Sequence, residues 1–275
     1  MKLSIGRIPF LVCAPFFHAF TGNEEQYPDF SFEDGAPTKL NAGLFNGQIH
    51  LAPASSLVYG IHPENFVLAP RLCTSCRLEV QSVKLFSHSP WENLSGKRVH
   101  FTPQSATSVA LVRVLSALRF HVQPDFIANE SFTSENFEAR LLIGDEALLE
   151  NQKDLFEYRY DLAAIWEEWQ KLPFVFGAWS IHRSALRPEM QNLVHEFLAQ
   201  VENSVRSFRE NPAAALEKWR ARYPVSLPNH VIEHYYASMD YAFTEERKQS
   251  LSLFFKYCTQ LGIIAAAPKL EFLEP

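Results

Sequence analysis

VHFTPQSATSVAL, residues 99–111, is the stretch of sequence that indicates the fold class. It begins with strand-like residues, passes through a polar loop and enters a helix predicted over residues 107–119, where Leu111, Leu115 and Leu118 recur at helical spacing. A strand that feeds a helix through a short loop is typical of an α/β fold. Hydroxyl groups and unpaired N–H groups meet at this junction, so a carboxylate or phosphate would be stabilised there without a formal cation. Ordinary N-capping explains the same pattern equally well.

Strand and helix patterns alternate on both sides of this segment. Strands are predicted at residues 2–8, 49–52, 80–87, 99–101, 141–143 and 174–181, and helices at residues 40–45, 107–119, 190–209 and 244–261, with short helices opening at Pro15 and Pro212. In the helix at 190–209, one apolar face is formed by Val194, Phe197, Val201, Val205 and Phe208. This order predicts a pair of sheet-and-helix lobes with a helical C-terminal region.

The composition predicts a folded protein whose ligand is small. The chain has 275 residues, of which 47% are hydrophobic and 20% charged, so it can bury a large core. Its formal net charge of −6 gives no basic surface for a phosphate backbone, and nucleic acid is therefore not expected as a partner. A small anion is still compatible with this charge, since a few local donors outweigh a weak overall field.

The four cysteines favour a reducing compartment, because they are too few to form a disulfide scaffold in a chain of this length. We therefore expect a cytoplasmic protein. Cys73 and Cys76 have the spacing of a redox or zinc motif, but a second pair of ligands is not readable nearby, and buried thiols are the commoner interpretation.

The apolar residues 8–20 resemble a signal peptide only superficially. Pro9 and Pro15 interrupt the run, His18 lies within it, and no small-residue cleavage site follows. No run elsewhere reaches the ~20 apolar residues of a membrane span. We expect neither export nor a membrane partner.

Two further patterns carry chemically useful residues. HVIEH, residues 230–234, matches the pattern of inverted zinc peptidases, although a half-exposed helix explains it as naturally and we expect no metal. LLIGD, residues 141–145, runs from a strand into Gly144 and Asp145, where α/β sheets present ligand-binding groups. Asp145 would either orient a ligand hydroxyl or form a turn.

Several short blocks, taken in order, resemble one known family. They are GRI (6–8), APF (14–16), SV (82–83), LFS (85–87), SATSVAL (105–111), LIGDEAL (142–148), DL (161–162) and LPFVF (172–176). Together they resemble the chorismate dehydratases of the futalosine route to menaquinone. The related dihydroxynaphthoate synthases share the fold, but the stretch from Trp166 to Trp179 is more similar to the dehydratases.

The resemblance implies an α/β, two-lobed, type II periplasmic-binding-protein-like fold with mixed sheets. Residues 1–86 and 181–275 would form the first lobe, and residues 87–180 an inserted second lobe, with the ligand in the cleft between them. The implied activity is that of a hydro-lyase that removes water from chorismate and gives 3-[(1-carboxyvinyl)oxy]benzoate. It needs no cofactor.

The resemblance also implies a set of site residues. Ser82 matches a catalytic serine, and Val12 occupies the position of an asparagine that assists the elimination. The residues implied to bind the substrate are Arg7, Ser55, Ser56, Ser105, Ala106, Thr107, Ser108, Gly144 and Asp145.

This sequence departs from the family pattern at several positions. Valine cannot hydrogen-bond the leaving hydroxyl as the asparagine does. Arg77 and Leu78 stand where the family tends to have an acidic residue and glycine, His50 replaces an aspartate, and Gln170 and Lys171 replace threonine and glycine. An anion-binding protein of the same fold that is non-catalytic or has another specificity therefore stays open as an alternative to the dehydratase.

Overall fold

The computed structural model describes residues 2–102, 104–128 and 137–274. Eleven strands are present in this part of the chain: β1 Leu3–Arg7, β2 Phe30–Asp34, β3 Leu51–Ser55, β4 Phe66–Cys76, β5 Val83–Ser87, β6 Arg98–Phe101, β7 Asp125–Ala128, β8 Ala139–Ile143, β9 Tyr158–Asp161, β10 Phe174–His182 and β11 Met239–Ala242. They form two mixed sheets, in the orders β11-β4-β10-β3-β1-β2 and β7-β6-β8-β5-β9.

Ten α-helices accompany these strands in the described residues. They are α1 Ala14–Phe17, α2 Pro37–Phe45, α3 Ser56–Ile61, α4 Ala106–Val114, α5 Gly144–Glu150, α6 Leu162–Gln170, α7 Pro188–Glu210, α8 Pro212–Arg222, α9 Asn229–Ser238 and α10 Glu245–Gln260. One π-helical turn, Leu115–Arg119, extends α4. None of these helices is both long enough and apolar enough to cross a membrane.

Parallel and antiparallel pairs are mixed in both sheets. In the six-stranded sheet β1 runs parallel to β2 and β3, whereas β10 runs antiparallel to β3 and β4. In the five-stranded sheet β6 runs parallel to β7 and β8, whereas β5 runs antiparallel to β8 and β9. The predicted α/β class with mixed sheets is confirmed.

The chain crosses between the sheets at residues 77–82 and 171–173. Strand β5 therefore lies in the five-stranded sheet and β10 in the six-stranded one. The sequence division at 86/87 and 180/181 had placed both strands on the other side, because a strand pattern does not indicate which sheet completes its hydrogen bonds. The division into two lobes stays a prediction.

The predicted apolar face of the long helix packs on the six-stranded sheet. Val194, Phe197, Val201, Val205 and Phe208 of α7 are all buried. Phe197 contacts the buried ring of Trp179 on β10, with 5.6 Å between the ring centroids. The C-terminal helices thus complete the core of the first sheet, as the pattern predicted.

Thr244 occupies the N-cap position of α10, but its side chain does not cap the helix. Its hydroxyl instead accepts a hydrogen bond from Arg247, at 3.1 Å. The helix predicted over residues 244–261 therefore begins without a side-chain cap, and Gly262 follows its end with a positive φ of 67°.

Candidate active site

A narrow cleft of about 110 Å³ lies between the two sheets. All the described residues that line it have uncharged side chains. One wall is apolar and includes Ile8, Phe10, Val12, Phe176 and Met239. The polar groups of the lining come from Ser55, Thr74, Ser82, Gln104, Ser105 and Ser108. The cleft therefore offers hydroxyl and amide groups opposite a flat apolar surface.

The start of α4 supplies the strongest anion-attracting groups of this cleft. Ser105 is the N-cap residue, and its hydroxyl accepts the N–H of Ser108 and donates to the Ser108 hydroxyl, at 3.3 and 2.8 Å. Both side chains line the cleft. The positive end of the helix dipole therefore faces the cleft. Ala106 follows as the first helical residue and is not part of the cleft lining.

A chain of three hydroxyl groups joins α4 to the six-stranded sheet. The Ser56 hydroxyl donates its proton to the carbonyl of Val175, so it accepts a hydrogen bond from the Thr107 hydroxyl. The Thr107 oxygen in turn accepts hydrogen bonds from the Ser55 hydroxyl and from the Leu57 N–H. The N–H of Thr107 donates back to Ser55 at 2.9 Å. Ser55 lines the cleft, whereas Ser56 and Thr107 are buried behind it. The Thr107 hydroxyl thus connects α4 to the six-stranded sheet and does not line the cleft.

Ser82 lies at the point where the chain crosses between the sheets. Its hydroxyl contacts that of Tyr235 on α9, with 3.5 Å between the oxygens, and its carbonyl accepts the N–H of Gly144 at 2.7 Å. Gly144 has a φ of 59°, and a Cβ there would meet the ring of Phe10 at 3.3 Å. Glycine is therefore required at this position both for the backbone and for the close approach of Phe10.

Val12 lines the cleft on a 3₁₀ turn, Leu11–Cys13, that contacts from α5 and α9 hold in place. Asp145 accepts the N–H of Leu11 at 3.2 Å, and the Tyr236 hydroxyl donates to the Leu11 carbonyl at 2.5 Å. The backbone that presents residue 12 to the ligand is thus fixed independently of the side chain at that position.

Asp145 and Cys13 lie at the base of the cleft. Burial raises the pKa of Asp145 to about 6, and the charge of Glu146 contributes to this increase. The hydrogen bond from the Leu11 N–H acts in the opposite direction and lowers the pKa. Burial, followed by the nearby Asp145, raises the pKa of the Cys13 thiol, so this cysteine is a neutral apolar group. Asp145 itself joins α5 to the Leu11–Cys13 turn and is not part of the cleft lining.

Arg7 does not line the cleft. Its side chain is 1% exposed and binds Asp34 and Glu24, at 2.5 and 3.0 Å. Arg222 of α8 binds the same two carboxylates. Burial alone would raise the pKa of Asp34, but hydrogen bonds from Arg7, Tyr223 and Arg222 hold it below its usual value. The resemblance implied that Arg7 binds the substrate, but in the structure Arg7 and Arg222 share two carboxylates, and this network connects α8 to the six-stranded sheet.

The other patterns of the sequence form no metal site in the described residues. His230, Glu233 and His234 are exposed on α9, and no group of three or more metal-binding side chains is found in residues 2–102, 104–128 and 137–274. Cys73 and Cys76 are buried free thiols on β4. A larger cavity of about 690 Å³ lies among α7, α8 and α9, and Glu233 of the HVIEH pattern lines it, but none of the residues implied to bind the substrate does.

Tyr235 and Tyr236 were not predicted as site residues. In the sequence they follow HVIEH and indicate only a helix with an aromatic side. Burial, opposed by the hydrogen bond with Ser82, raises the pKa of Tyr235, so this hydroxyl stays protonated and able to donate. The contact of Tyr235 with Ser82 joins residues 153 positions apart.

Solved structures share this fold at low sequence identity. The chain is similar to protein AF1704 from Archaeoglobus fulgidus, with a TM-score of 0.73 and 19% identity, over 96% of this chain and 98% of that one. It is also similar to the aliphatic sulphonate binding protein SsuA from Escherichia coli, with a TM-score of 0.67 and 14% identity, over 100% and 94% of the two chains. The alkanesulfonate-binding SsuA from Xanthomonas axonopodis, solved with MOPS, has a TM-score of 0.69 and 14% identity, over 98% and 96%. These similarities confirm the periplasmic-binding-protein-like fold.

Sequence comparison identifies the family. The chorismate dehydratase of Thermus thermophilus is 30% identical over 170 residues, which are 56% of this chain and 62% of the relative, less than two thirds of its length. The family described as menaquinone biosynthesis matches residues 3–260. The chain therefore belongs to the menaquinone biosynthesis family.

Proposed function

We propose that this protein binds chorismate and removes water from it. The observation that carries the proposal is the cleft itself, in which the hydroxyl-rich start of α4 faces an apolar wall and Ser82 lies between the two sheets. Similarity to the Thermus dehydratase favours this substrate. The small anions named for the two SsuA structures are consistent with a ligand of this charge and size class.

The two surfaces of the cleft match the two parts of chorismate. A carboxylate accepts a hydrogen bond from the Ser108 hydroxyl, which Ser105 orients at the positive end of α4, where no counter-cation is needed. The ring lies against Phe10 and Phe176. Ligand sites usually enclose roughly 300–1,000 Å³, so a cleft of about 110 Å³ represents a closed state that opens to admit chorismate.

The reaction needs orientation more than strong acid–base groups. Loss of the ring hydroxyl and a neighbouring proton produces an aromatic ring and is downhill. The Ser82 hydroxyl donates to Tyr235 at 3.5 Å in this structure, and on binding it turns that proton to the departing hydroxyl. Val12, on the opposite loop, supplies only an apolar contact.

Incubation of the purified protein with chorismate tests the proposal through the appearance of the aromatic product. We expect product from the wild type and a slower rate from Ser82→Ala, because a preorganised donor contributes roughly a hundredfold to a thousandfold in rate. Val12→Asn adds a donor on the fixed turn and should accelerate single turnovers while chorismate affinity changes little. Identical rates for the wild type and Ser82→Ala would contradict the role of Ser82.

The second candidate is an anion-binding protein without dehydratase activity. The presence of Val12 in place of an asparagine favours it, since the cleft then lacks that donor in the family position. Tight binding of another small anion, with no product from chorismate in the wild type or in Val12→Asn, would replace the dehydratase by this function.

A further inference from the structure

Asp161 lies at the end of β9 and is the N-cap residue of α6. Its carboxylate is 6% exposed and accepts four backbone N–H groups. Two of them, from Ala163 and Ala164, belong to its own helix, at 3.1 and 3.3 Å. The other two come from Val80 and Gln81, about eighty residues earlier, at 3.1 and 2.7 Å. An ordinary cap needs only the first pair.

The second pair of N–H groups belongs to the segment in which the chain crosses between the sheets. Gln81 has a φ of 60°, in the left-handed region that is unfavourable for a residue with a side chain. Oδ2 of Asp161 is bonded to the Gln81 N–H, whereas Oδ1 serves Val80, Ala163 and Ala164. The carboxylate thus stabilises a strained turn, and the residue after that turn is Ser82.

The backbone of Ser82 has little freedom once this turn is formed. Its N–H donates to the carbonyl of Val80 at 2.6 Å, and its carbonyl accepts the N–H of Gly144 at 2.7 Å. The side chain then points toward the Tyr235 hydroxyl at the edge of the cleft. We infer that Asp161 is a positioning residue for Ser82, which it aligns through the Val80–Gln81 turn; this inference rests on the proposed function of Ser82.

Asp161→Ser separates the positioning role from the helix cap. Serine caps a helix about as well as aspartate, but its shorter side chain does not reach Val80 and Gln81. We expect kcat to fall roughly tenfold to a hundredfold, toward the value of Ser82→Ala, with little change in KM, because the start of α4 is untouched. Adding Gln81→Gly should restore most of kcat, since glycine adopts a positive φ without strain.

Asn211→Ala is the matched control, because Asn211 caps α8 through the N–H of Ala214 and does not touch the crossing segment. It should lower the melting temperature without changing kcat. Asp161→Asn is the second variant: its amide keeps one oxygen for three N–H groups and places an N–H₂ group opposite Gln81. We expect a similar fall in kcat from it, even if Asp161→Ser does not fold.

Hydrogen exchange supplies a readout that does not depend on activity. In Asp161→Ser the amides of Val80 and Gln81 should exchange faster while those of Ala163 and Ala164 stay protected. Unchanged exchange at residues 80 and 81, or a loss of kcat that Gln81→Gly does not restore, would overturn the inference. A wild type that makes no product from chorismate would contradict the proposed function instead, and the exchange pattern would still test the contacts of Asp161.

Discussion

Replacement of Asp145 by asparagine should stabilise the protein at high pH and leave it almost unchanged at low pH. Asp145 is held between α5 and the Leu11–Cys13 turn, and burial raises its pKa from 3.8 to about 6. The native state therefore binds the proton more tightly than the unfolded chain. Ionisation of this side chain opposes folding, so its unfavourable contribution grows as pH rises from about 4 to 6 and is complete above pH 6.

The size of the effect follows from the difference between the two pKa values. A shift of about two units corresponds to roughly 3 kcal/mol of unfolding free energy above pH 6. Asparagine has nearly the same shape, and its oxygen still accepts the Leu11 N–H. We therefore expect Asp145→Asn to be about 3 kcal/mol more stable than the wild type at pH 8, and less than about 1 kcal/mol more stable at pH 4.

Urea unfolding of both proteins at pH 4 and pH 8 measures this difference directly. Glu146→Gln is the matched control, because Glu146 is exposed in the same helix and only adds to the shift of its neighbour. Its stability should keep almost the pH dependence of the wild type. An Asp145→Asn protein that is less stable than the wild type at pH 8, or a difference that is equal at the two pH values, would refute the reasoning.

Three further variants and a chelator test other parts of the molecule. Arg7→Met should lower the unfolding free energy by about 2 kcal/mol, since it leaves the half-buried carboxylates of Asp34 and Glu24 with one partner fewer, but should not change chorismate affinity. If Arg7→Met binds chorismate more weakly and is as stable as the wild type, Arg7 belongs to the ligand site. Thr107→Val should break the hydroxyl chain between α4 and the six-stranded sheet and cost about 2 kcal/mol in stability, whereas Ser108→Ala should weaken ligand binding more than tenfold. If calorimetry instead shows that Thr107→Val weakens ligand binding and leaves the stability unchanged, the Thr107 hydroxyl contacts the ligand. A chelator should change neither the melting temperature nor the activity, and stoichiometric zinc lost together with stability would contradict this.

The sequence was sufficient for the parts of the fold in which periodicity and burial agree. The strand, loop and helix around residues 99–111 and the apolar face of α7 were predicted because each depends on local spacing alone. Strand β4 was not predicted, since Pro70 and the polar Thr74 and Ser75 interrupt its apolar pattern. The pairing of β4 with β10 shifts register between Ala178 and Ser180, and this irregularity accommodates Pro70.

The site was predictable only where its residues are close in sequence. Ser105 and Ser108 face the cleft because a helix start exposes them together, which spacing indicates. Thr107 lies between them, but its hydroxyl turns toward Ser55, a partner 52 residues away. Which of several adjacent hydroxyls meets a ligand depends on the neighbouring lobe, and a pattern within one segment does not contain that information.

Two buried carboxylates determine the geometry of the cleft without facing it. Asp145 holds the turn that presents Val12, and Asp161 holds the turn that presents Ser82. Burial raises the pKa of each to about 6, so each opposes folding at neutral pH. A neutral side chain with two good acceptors would bind the same N–H groups at a lower cost in stability, but asparagine and glutamine offer only one oxygen. Where a single side chain must accept N–H groups from both directions, as Asp161 does, a carboxylate is needed. Among the residues that the structure describes, Asp145 accepts only the Leu11 N–H, and its replacement by asparagine should therefore be tolerated where that of Asp161 is not.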